Sequence, residues 1–229
     1  GSRLHADFAF YKTTSIRGFN CFLLIPEAVT GYKWVFCRRT KHPPTNLLIW
    51  FVRQLRTRMG FTINSIRTDG GGELWGCNEI RKQLLAEHCA MEPTGAYNSA
   101  ANGIVERGIG TLCIQTQICL YASGMDVAYW CFALSHAAML CNFRPQVDTK
   151  VSSHEAIFKK VPNYSNLAIW GSPVYVVDRR LTRRRPDSAT LTGRFLGYAG
   201  SHHIITYKND LTGAIQYAHH TAIDELDLQ

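Results

Sequence analysis

The hydrophobic pattern of the first sixty residues changes from the period of strands to the period of a helix. Apolar and aromatic residues are concentrated in RLHADFAFY (3–11), FNCFLLIP (19–26) and YKWVFCRR (32–39). Short links between these segments predict three antiparallel strands in a meander. HPPTNLLIWFVRQLRTRMG (42–60) then repeats apolar side chains at helical spacing, and this segment predicts a helix that starts at a threonine cap after Pro–Pro and ends at Gly60.

The same alternation continues to residue 143, after which short strands dominate. Strands are predicted at 61–69 and 89–93, and helices at 78–88, about 102–122, 127–143 and 153–161. This order of strands and helices is typical of an α/β domain with a mixed sheet. From about residue 165, short apolar segments alternate with turn residues. We therefore expect an α/β domain over residues 1–162 and a small β-rich domain over residues 163–229.

The composition describes a folded, basic chain. Of its 229 residues, 46% are hydrophobic and 18% are charged, which is enough apolar material for a substantial core. The 25 Lys and Arg outnumber the 17 Asp and Glu, and the net charge is +8. This excess favours nucleic acid as a partner ahead of a membrane surface, because no basic amphipathic helix is evident. A basic protein without a polyanionic partner is the alternative.

The cysteines and the hydropathy pattern indicate the cellular compartment of the protein. The 8 cysteines include no CxxC pair, and most of them fall inside apolar segments, as buried thiols do in a reducing intracellular compartment. No apolar run reaches the roughly 18 residues that a membrane-spanning helix needs. The sequence therefore predicts an intracellular protein with no membrane partner.

Two aspartates stand where a metal ion would neutralise them. Asp7 lies within an apolar strand, where a lone carboxylate has to be protonated, hydrogen-bonded or bound to a cation. Asp69 ends the fourth strand and is followed by three glycines, a pattern that a simple turn also explains. If the first and fourth strands pair, the two carboxylates converge, and a hard divalent cation such as Mg²⁺ relieves their repulsion.

A third carboxylate, Glu106, lies near the start of the next helix. Gly103, Gly108 and Gly110 surround it, although each glycine costs a helix interior about 1 kcal/mol relative to alanine. We interpret these small residues as space for a polymer backbone beside Glu106. An ordinary glutamate at the border of the buried face is the alternative. Three carboxylates complete an all-oxygen site for two Mg²⁺ ions, which stabilise the attacking and leaving oxygens in phosphoryl transfer.

The three carboxylates are carried by three blocks in a fixed order. These are LHAD with Asp7, RTDGGGEL with Asp69 and NSAANGIVERGIGTL with Glu106, and 36 residues (70–105) separate the last two carboxylates. Together the blocks resemble the catalytic core of retroelement integrases, the Asp-Asp-Glu branch of the RNase H-like superfamily. WGSPVYVV, GRFLGY and HHTAIDEL further resemble the tail blocks of copia-type LTR retrotransposon polyproteins. The resemblance covers roughly residues 4–226.

The resemblance implies an RNase H-like fold, a mixed five-stranded sheet flanked by helices, followed by a small β-rich domain. It implies that Asp7, Asp69 and Glu106 are the catalytic residues and metal ligands, with Mg²⁺ as cofactor and Mn²⁺ as a substitute. The implied reaction is 3′-end processing and strand transfer of element DNA into target DNA. The implied partners are DNA, further copies of the chain in a homo-oligomer and a host targeting factor, and the implied location is the nucleus.

The sequence departs from the family pattern at three places. Gly70 stands where the family has Asn, Ala101 stands where it has Gln, and PEAVTGY (26–32) lacks the aspartates of the usual block between the second and third strands. These departures motivate an alternative, a decayed or domesticated integrase that binds DNA or protein without catalysis. A nuclease of the same superfamily that acts on RNA–DNA hybrids is a further alternative, which the triad does not exclude.

Several side chains are candidate contacts to DNA. The segment RRLTRRR (179–185) supplies five arginines, which are candidates for phosphate contacts or for a nuclear-import signal, and the helix of Glu106 supplies Asn102 and Arg107. The five are Arg179, Arg180, Arg183, Arg184 and Arg185. A solvated basic loop and an exposed helix arginine are the alternatives. Glu73, in the second block, is interpreted as a support of its loop and not as a metal ligand.

Overall fold

The computed structural model describes residues 2–94, 99–165, 167–177, 190–219 and 221–225, with side chains described in all of these except 99–102 and 201–203. By their contacts, the residues form two compact units. One consists of Gly1–Cys113 with Ala138–Pro162, and the other of Ile114–Ala137 with Asn163–Gln229. The division into two domains at residue 162 stays a prediction, since these contacts also assign residues 114–137 to the second unit.

The first unit is built on a five-stranded sheet. Its strands are β1 (Ser2–Phe10), β2 (Cys21–Pro26), β3 (Lys33–Arg38), β4 (Ile63–Thr68) and β5 (Ala90–Pro93). Their order across the sheet is β3-β2-β1-β4-β5, with β1 antiparallel to β2 and parallel to β4. The mixed sheet expected of an RNase H-like domain is therefore confirmed, and its strands begin and end within two residues of the predicted positions.

Five α-helices accompany the sheets in the part of the chain that the structure describes. They are α1 (Thr45–Met59), α2 (Asn78–Ala86), α3 (Ser99–Ser123), α4 (Trp130–Phe143) and α5 (Ser153–Phe158). The first two cover one face of the five-stranded sheet, where Leu4 and Ala6 of β1 are buried with Leu48 and Leu55 of α1 and Ile80 of α2. Within the described ranges, no helix combines the length and apolar character that crossing a bilayer requires.

Four helices differ from the bounds that periodicity predicted: α2 ends at Ala86 and α3 begins at Ser99, and the other two differences have a visible cause. The helix expected from residue 127 begins as a 3-10 turn over Val127–Tyr129, where the Asp126 carboxylate accepts the N–H of Ala128 at 2.7 Å. The helix expected to reach residue 161 ends at Phe158, because Lys159 adopts a left-handed conformation with φ of 56°. Both differences arise from local capping, which apolar spacing does not encode.

The second unit contains an antiparallel sheet. Its strands are β6 (Pro173–Val177), β7 (Thr190–Ala199), β8 (Ser201–Asn209), β9 (Ile215–Ala218) and β10 (Thr221–Ile223). Their order is β10-β6-β7-β8-β9, and Val174, Phe195, Ile205 and Tyr207 form the centre of its core. The β-rich C-terminal part predicted from the sequence is confirmed.

The turn between β2 and β3 is closed by a buried carboxylate. Glu27 is 1% exposed, and it accepts the backbone N–H groups of Val29 (3.0 Å) and Thr30 (2.6 Å). It also accepts the hydroxyl groups of Thr30 (2.7 Å) and Ser2. Burial by itself raises the pKa of Glu27, but these hydrogen bonds outweigh burial and lower the pKa below its ordinary value. The segment PEAVTGY thus folds around its own carboxylate without the aspartates of the family block.

We predict that Glu27→Gln destabilises the protein, because an amide replaces a carboxylate that accepts four hydrogen bonds. Hydrogen bonds to charged groups contribute about 1.5–3 kcal/mol each, so a loss of about 2 kcal/mol or more in the free energy of unfolding is expected at neutral pH. The depressed pKa of Glu27 means that its stabilisation is present above the ordinary value of 4.5 and is lost as the pH falls through the folded-state pKa. Urea unfolding across this range measures both effects.

The matched control is Glu79→Gln, because Glu79 is exposed in the first turn of α2. Its effect on the free energy of unfolding should stay within about 0.5 kcal/mol, as for most surface substitutions. Equal stability of the two variants at neutral pH would contradict the role assigned to Glu27.

Candidate active site

The pairing of β1 with β4 brings two of the predicted site residues together. The strands run parallel, and Ala6 lies opposite Thr68 at the end of their register. Asp7 and Asp69 are the next residues on each side, and paired strands lie roughly 4.8 Å apart. Ala6 and Thr68 are both fully buried, whereas Asp7 and Asp69 are half-buried. Because side chains alternate along a strand, Asp7 projects on the face opposite to that of Ala6, and Asp69 follows the last residue of β4.

The loop after β4 is fixed on both sides of Asp69. Thr94, just after β5, donates its N–H (2.8 Å) and its hydroxyl (3.0 Å) to the carbonyl of Thr68. The Asp69 carboxylate accepts the N–H of Gly71 at 3.2 Å. A Cβ on Gly71 would lie 2.9 Å from Asp69 Oδ1 and 3.2 Å from Glu73 Oε2. Gly71 therefore leaves room for the two carboxylates, which a larger side chain at this position would displace.

An ion pair between Lys41 and Glu73 ties this loop to the segment after β3. The Lys41 ammonium donates to the Glu73 carboxylate and lowers the pKa of Glu73. Sequence reasoning missed this pair, because the two residues lie in separate loops far apart in the chain and no periodicity connects them. A basic residue shortly after the third strand was the only signal, and it indicated no partner.

The helix α3 packs on the face of the sheet that carries Asp7. Asp7 pairs with Leu24 across β1 and β2, and residues directly opposite each other in a sheet project on the same face. A Cβ on Gly108 of α3 would lie 3.0 Å from Leu24 Cδ2. On this helix Val105 is fully buried, whereas Glu106, the third predicted ligand, is exposed. The fold thus brings the helix of Glu106 over the strand pair of Asp7.

The pKa of the Asp7 carboxyl is raised by burial and by its acidic neighbours. Its pKa is raised to about 6, with burial as the largest cause. The N–H of Phe8 donates to Asp7 Oδ1 at 2.7 Å and lowers the pKa. The negative charges of Asp69, Glu106 and Glu73 raise it further, in that order. A half-buried carboxyl with three acidic neighbours favours binding of a proton or a cation.

The charges of Asp69 and Glu106 act on Asp7, but the three side chains do not form a complete set of metal ligands. Among the residues that the structure describes, no three Asp, Glu, His or Cys side chains are near enough to one another to hold a metal ion. The chemistry of the donors does fit a hard divalent cation, since Mg²⁺ and Mn²⁺ prefer carboxylate oxygens. The roles of Asp7, Asp69 and Glu106 as metal ligands therefore stay predictions.

The candidate DNA contacts are only partly within the described structure. Arg107 is exposed on α3, and its Nη1 lies 2.8 Å from the position of a Cβ on Gly103. Asn102 lies within α3, but its side chain is outside the described residues. Also outside are Arg179, Arg180, Arg183, Arg184 and Arg185. Their assignment to DNA binding stays a prediction.

The glycines of α3 serve different purposes. Gly108 allows the helix to approach Leu24 closely, so the interpretation that it makes room for a polymer is wrong. At Gly103 the neighbour is the flexible end of Arg107. Only Gly110 meets nothing within 4 Å of an added Cβ, and it is exposed. Open space beside the helix is thus confined to Gly110 among the three.

Comparison with curated proteins finds similarity to Pol polyproteins of two plant transposons. Over 223 residues, or 97% of this chain, the sequence is 23% identical to the Retrovirus-related Pol polyprotein from transposon RE2 of Arabidopsis thaliana. Over 224 residues it is 23% identical to the corresponding polyprotein from transposon RE1 of the same plant. The chain spans 15% of the length of each of these relatives. No family model matches the chain.

Solved structures with a similar fold include two retroviral integrases. The HTLV-2 integrase catalytic core domain, in complex with magnesium and in a trimeric form, matches 68% of this chain and 95% of its own, with a TM-score of 0.51 and 16% identity. The simian T-cell lymphotropic virus intasome, in complex with PP2A regulatory subunit B56 gamma, matches 94% of this chain and 75% of its own, with a TM-score of 0.55 and 14% identity. At these identities the likeness establishes the fold.

The comparisons agree with the resemblance seen in the sequence. The chain is similar in sequence to Pol polyproteins of copia-type transposons, and it shares its fold with retroviral integrase catalytic cores. The recognition of an integrase-type core is therefore confirmed.

We predict that Asp7→Asn stabilises the protein at neutral pH in metal-free buffer. The folded-state pKa of Asp7, about 6, lies above its ordinary value of 3.8. The stability that Asp7 contributes is therefore complete below about 3.8 and is lost as the pH rises through about 6. The gain in the free energy of unfolding of the variant should grow between about pH 4 and pH 7, as measured by chemical denaturation.

A companion variant, Asp69→Asn, tests the contribution of the neighbouring charge. Removing this charge should lower the pKa of Asp7, which a carbon-13 NMR titration of the carboxyl groups measures directly. An Asp7→Asn effect that does not vary with pH would contradict the raised pKa. An Asp7 pKa unchanged by Asp69→Asn would contradict the convergence of the two carboxylates.

We predict opposite outcomes for alanine at two glycines of α3. Gly110→Ala should raise the free energy of unfolding by about 0.5–1 kcal/mol, because alanine favours the helix and its methyl group meets open space. Gly108→Ala should gain less or destabilise, because the new methyl group presses on Leu24. Thermal unfolding of the two variants checks this, and a larger gain for Gly108→Ala would refute the packing role.

Proposed function

We propose that the chain is the catalytic core of a retroelement integrase, a polynucleotidyl transferase. It would process the 3′ ends of element DNA and join them to target DNA. The observation that supports this proposal is the register of β1 and β4, which ends on Ala6 and Thr68, the residues just before Asp7 and Asp69. The similarity to transposon Pol polyproteins and the integrase core fold support it.

We assign Asp7, Asp69 and Glu106 to the binding of Mg²⁺, with Mn²⁺ as a substitute. The two aspartates provide a partly preformed pair, while Glu106 lies outside the packed side of α3 and can change its side-chain rotamer. When bound, the cation would stabilise charge on the phosphodiester under attack. The description of the HTLV-2 core in complex with magnesium supports the choice of cation.

The residues around the aspartates would orient them. Thr94 holds the carbonyl of Thr68, so the main chain next to Asp69 is fixed before any ligand arrives. The ion pair of Lys41 with Glu73 holds the far side of the same loop and keeps the Glu73 carboxylate engaged. This supports Glu73 as part of the loop scaffold. The carboxylates left for a cation are then those of the triad.

The proposed partners are DNA and further copies of the chain. A net charge of +8 favours a polyanion, and Arg107 is exposed next to Glu106. One of the similar structures is described as a trimeric form and the other as an intasome, which supports assembly into an oligomer. A host targeting factor, the five arginines of residues 179–185 as DNA contacts and a nuclear location remain parts of the proposal.

The non-catalytic alternative is not favoured. It was motivated by departures from the family pattern, but two of these leave the aspartates in place. An added Cβ on Gly70 meets nothing within 4 Å, and the turn over residues 26–32 is closed by Glu27. The strand register of Asp7 and Asp69 is intact.

We predict that the chain binds Mg²⁺ at millimolar concentrations and that the Asp69→Asn, Glu106→Gln double variant does not. In a strand-transfer assay with duplex DNA, each single variant should lose more than about 100-fold in rate. Loss of an outer-shell partner alone typically costs 10–100-fold, and a direct ligand should cost more. Titration calorimetry and the transfer assay measure the two effects.

Glu79→Gln serves again as the control, since it removes an exposed carboxylate on α2. Transfer activity that persists in the double variant would show that the triad is wrongly assigned. DNA binding without transfer in the unaltered chain, with or without Mn²⁺, would instead favour the non-catalytic alternative. Preferential cleavage of RNA–DNA hybrids would favour the nuclease.

A further inference from the structure

A cleft of about 390 Å³ lies in the first unit, apart from the three carboxylates. It is formed by the turn before β3, the start of β3, the end of α4 and the segment that leads into α5. The lining residues include Gly31, Lys33, Cys141, Arg144, Gln146 and Ser153. None of the residues that line it belongs to the proposed triad.

The lining of this cleft is positively charged. It includes Lys33 and Arg144, and no aspartate or glutamate is among its lining residues. Burial is the main reason that the pKa of Lys33 is lowered; the nearby Cys141 thiol raises this pKa, and the charge of Arg144 lowers it. The two cations are therefore close enough to repel each other, and an anion between them would relieve the repulsion and the cost of burial.

The walls of the cleft are held by hydrogen bonds. The N–H of Lys33 donates to Asn142 Oδ1 at 2.8 Å, and Asn142 Nδ2 donates to the carbonyl of Lys33 at 2.8 Å. This reciprocal pair fastens β3 to the end of α4. On the other side, Gln146 Nε2 (2.6 Å) and Ser153 Oγ (2.7 Å) both donate to the carbonyl of Thr30. The site is thus preformed, which reduces the entropy lost when a ligand binds.

The available donors suit a phosphate group. In the described structure, the Lys33 ammonium donates one hydrogen bond, to the carbonyl of Gly31 at 3.0 Å. The guanidinium of Arg144 is exposed at the mouth of the cleft. A lysine and an arginine together provide a point charge and a planar fork, the two groups that proteins use most for phosphate. The volume leaves room for an attached sugar.

We propose that this cleft binds a phosphate group through Lys33 and Arg144. The net charge of +8 makes the backbone of a nucleic acid the first source to test, and a free nucleotide is the other. Such a site gives the chain a nucleic-acid contact that does not depend on its catalytic residues. It goes beyond the proposed integrase function, and the chain could have either one without the other.

The test compares two matched double variants of the full chain. Lys33→Met with Arg144→Gln removes the cleft cations and keeps the apolar stem of Lys33. Lys82→Met with Arg58→Gln removes one lysine and one arginine that are exposed on α2 and α1. Binding to a fluorescent duplex of about 20 base pairs is followed by anisotropy at several salt concentrations, and calorimetry with inorganic phosphate and adenosine monophosphate gives the second arm.

We expect the cleft variant to bind duplex about tenfold more weakly at low salt. Its plot of log affinity against log salt should lose about one unit of slope, for the one phosphate group that the cleft binds. The matched control should change the affinity less than about twofold. A loss confined to adenosine monophosphate or inorganic phosphate would identify a free phosphate as the ligand. Equal binding by the cleft variant, the control and the unaltered chain for every probe would overturn the proposal.

Two further measurements keep the result interpretable. Arg144→Gln alone alters an exposed side chain, so it should fold normally and should lose about half of the slope change. A slope unchanged in this folded variant would argue against the site. Mg²⁺ titration of the cleft variant should match the unaltered chain, so that failure of the cleft proposal and failure of the triad proposal are read from different experiments.

Discussion

The candidate active site depends on one parallel strand pairing. β1 and β4 are separated by two strands and a helix in the sequence, yet their register ends on Ala6 and Thr68, the residues just before Asp7 and Asp69. The antiparallel pairing of β1 with β2 then fixes Leu24 opposite Asp7, and Gly108 lets α3 pack on Leu24. A shift of one residue in the β1–β4 pairing would turn the side chains of one strand to the other face and would separate the positions that lead to Asp7 and Asp69. The geometry of the site therefore depends first on strand pairing in the sheet and only then on the loops.

Two carboxylates of the first unit show how the same group serves different ends. Glu27 is buried among hydrogen-bond donors, which lower its pKa, and it stabilises a turn. Asp7 is half-buried among other acids, which raise its pKa to about 6, and it weakens the fold at neutral pH. A residue that costs stability where it stands requires another reason to be there, and a functional site is the usual one. The contrast supports a functional role for Asp7 without reference to any relative.

Much of the first unit could be predicted from the sequence because its elements have strong periodicity. The convergence of Asp7 and Asp69 followed from strand order alone, once the first and fourth strands were assumed to pair. The contacts of Glu27, of Lys41 with Glu73 and of Gly108 with Leu24 could not be predicted, since each joins residues that no local pattern relates. The turn at residues 26–32 appeared damaged because its letters differ from the family block. In three dimensions the Glu27 carboxylate accepts the hydrogen bonds that close this turn.

The β1–β4 register also has a consequence for how the chain folds. Residues about sixty positions apart must meet before both aspartates are in place, and such non-local parallel pairings form late, after long loops have closed. A partly folded chain with its local hairpin of β1 and β2 complete would still lack the acidic pair. A cation that binds the pair would then select chains whose central strands have already docked, and would add its binding free energy to that state alone. Metal affinity in this protein would thereby report on the completeness of folding.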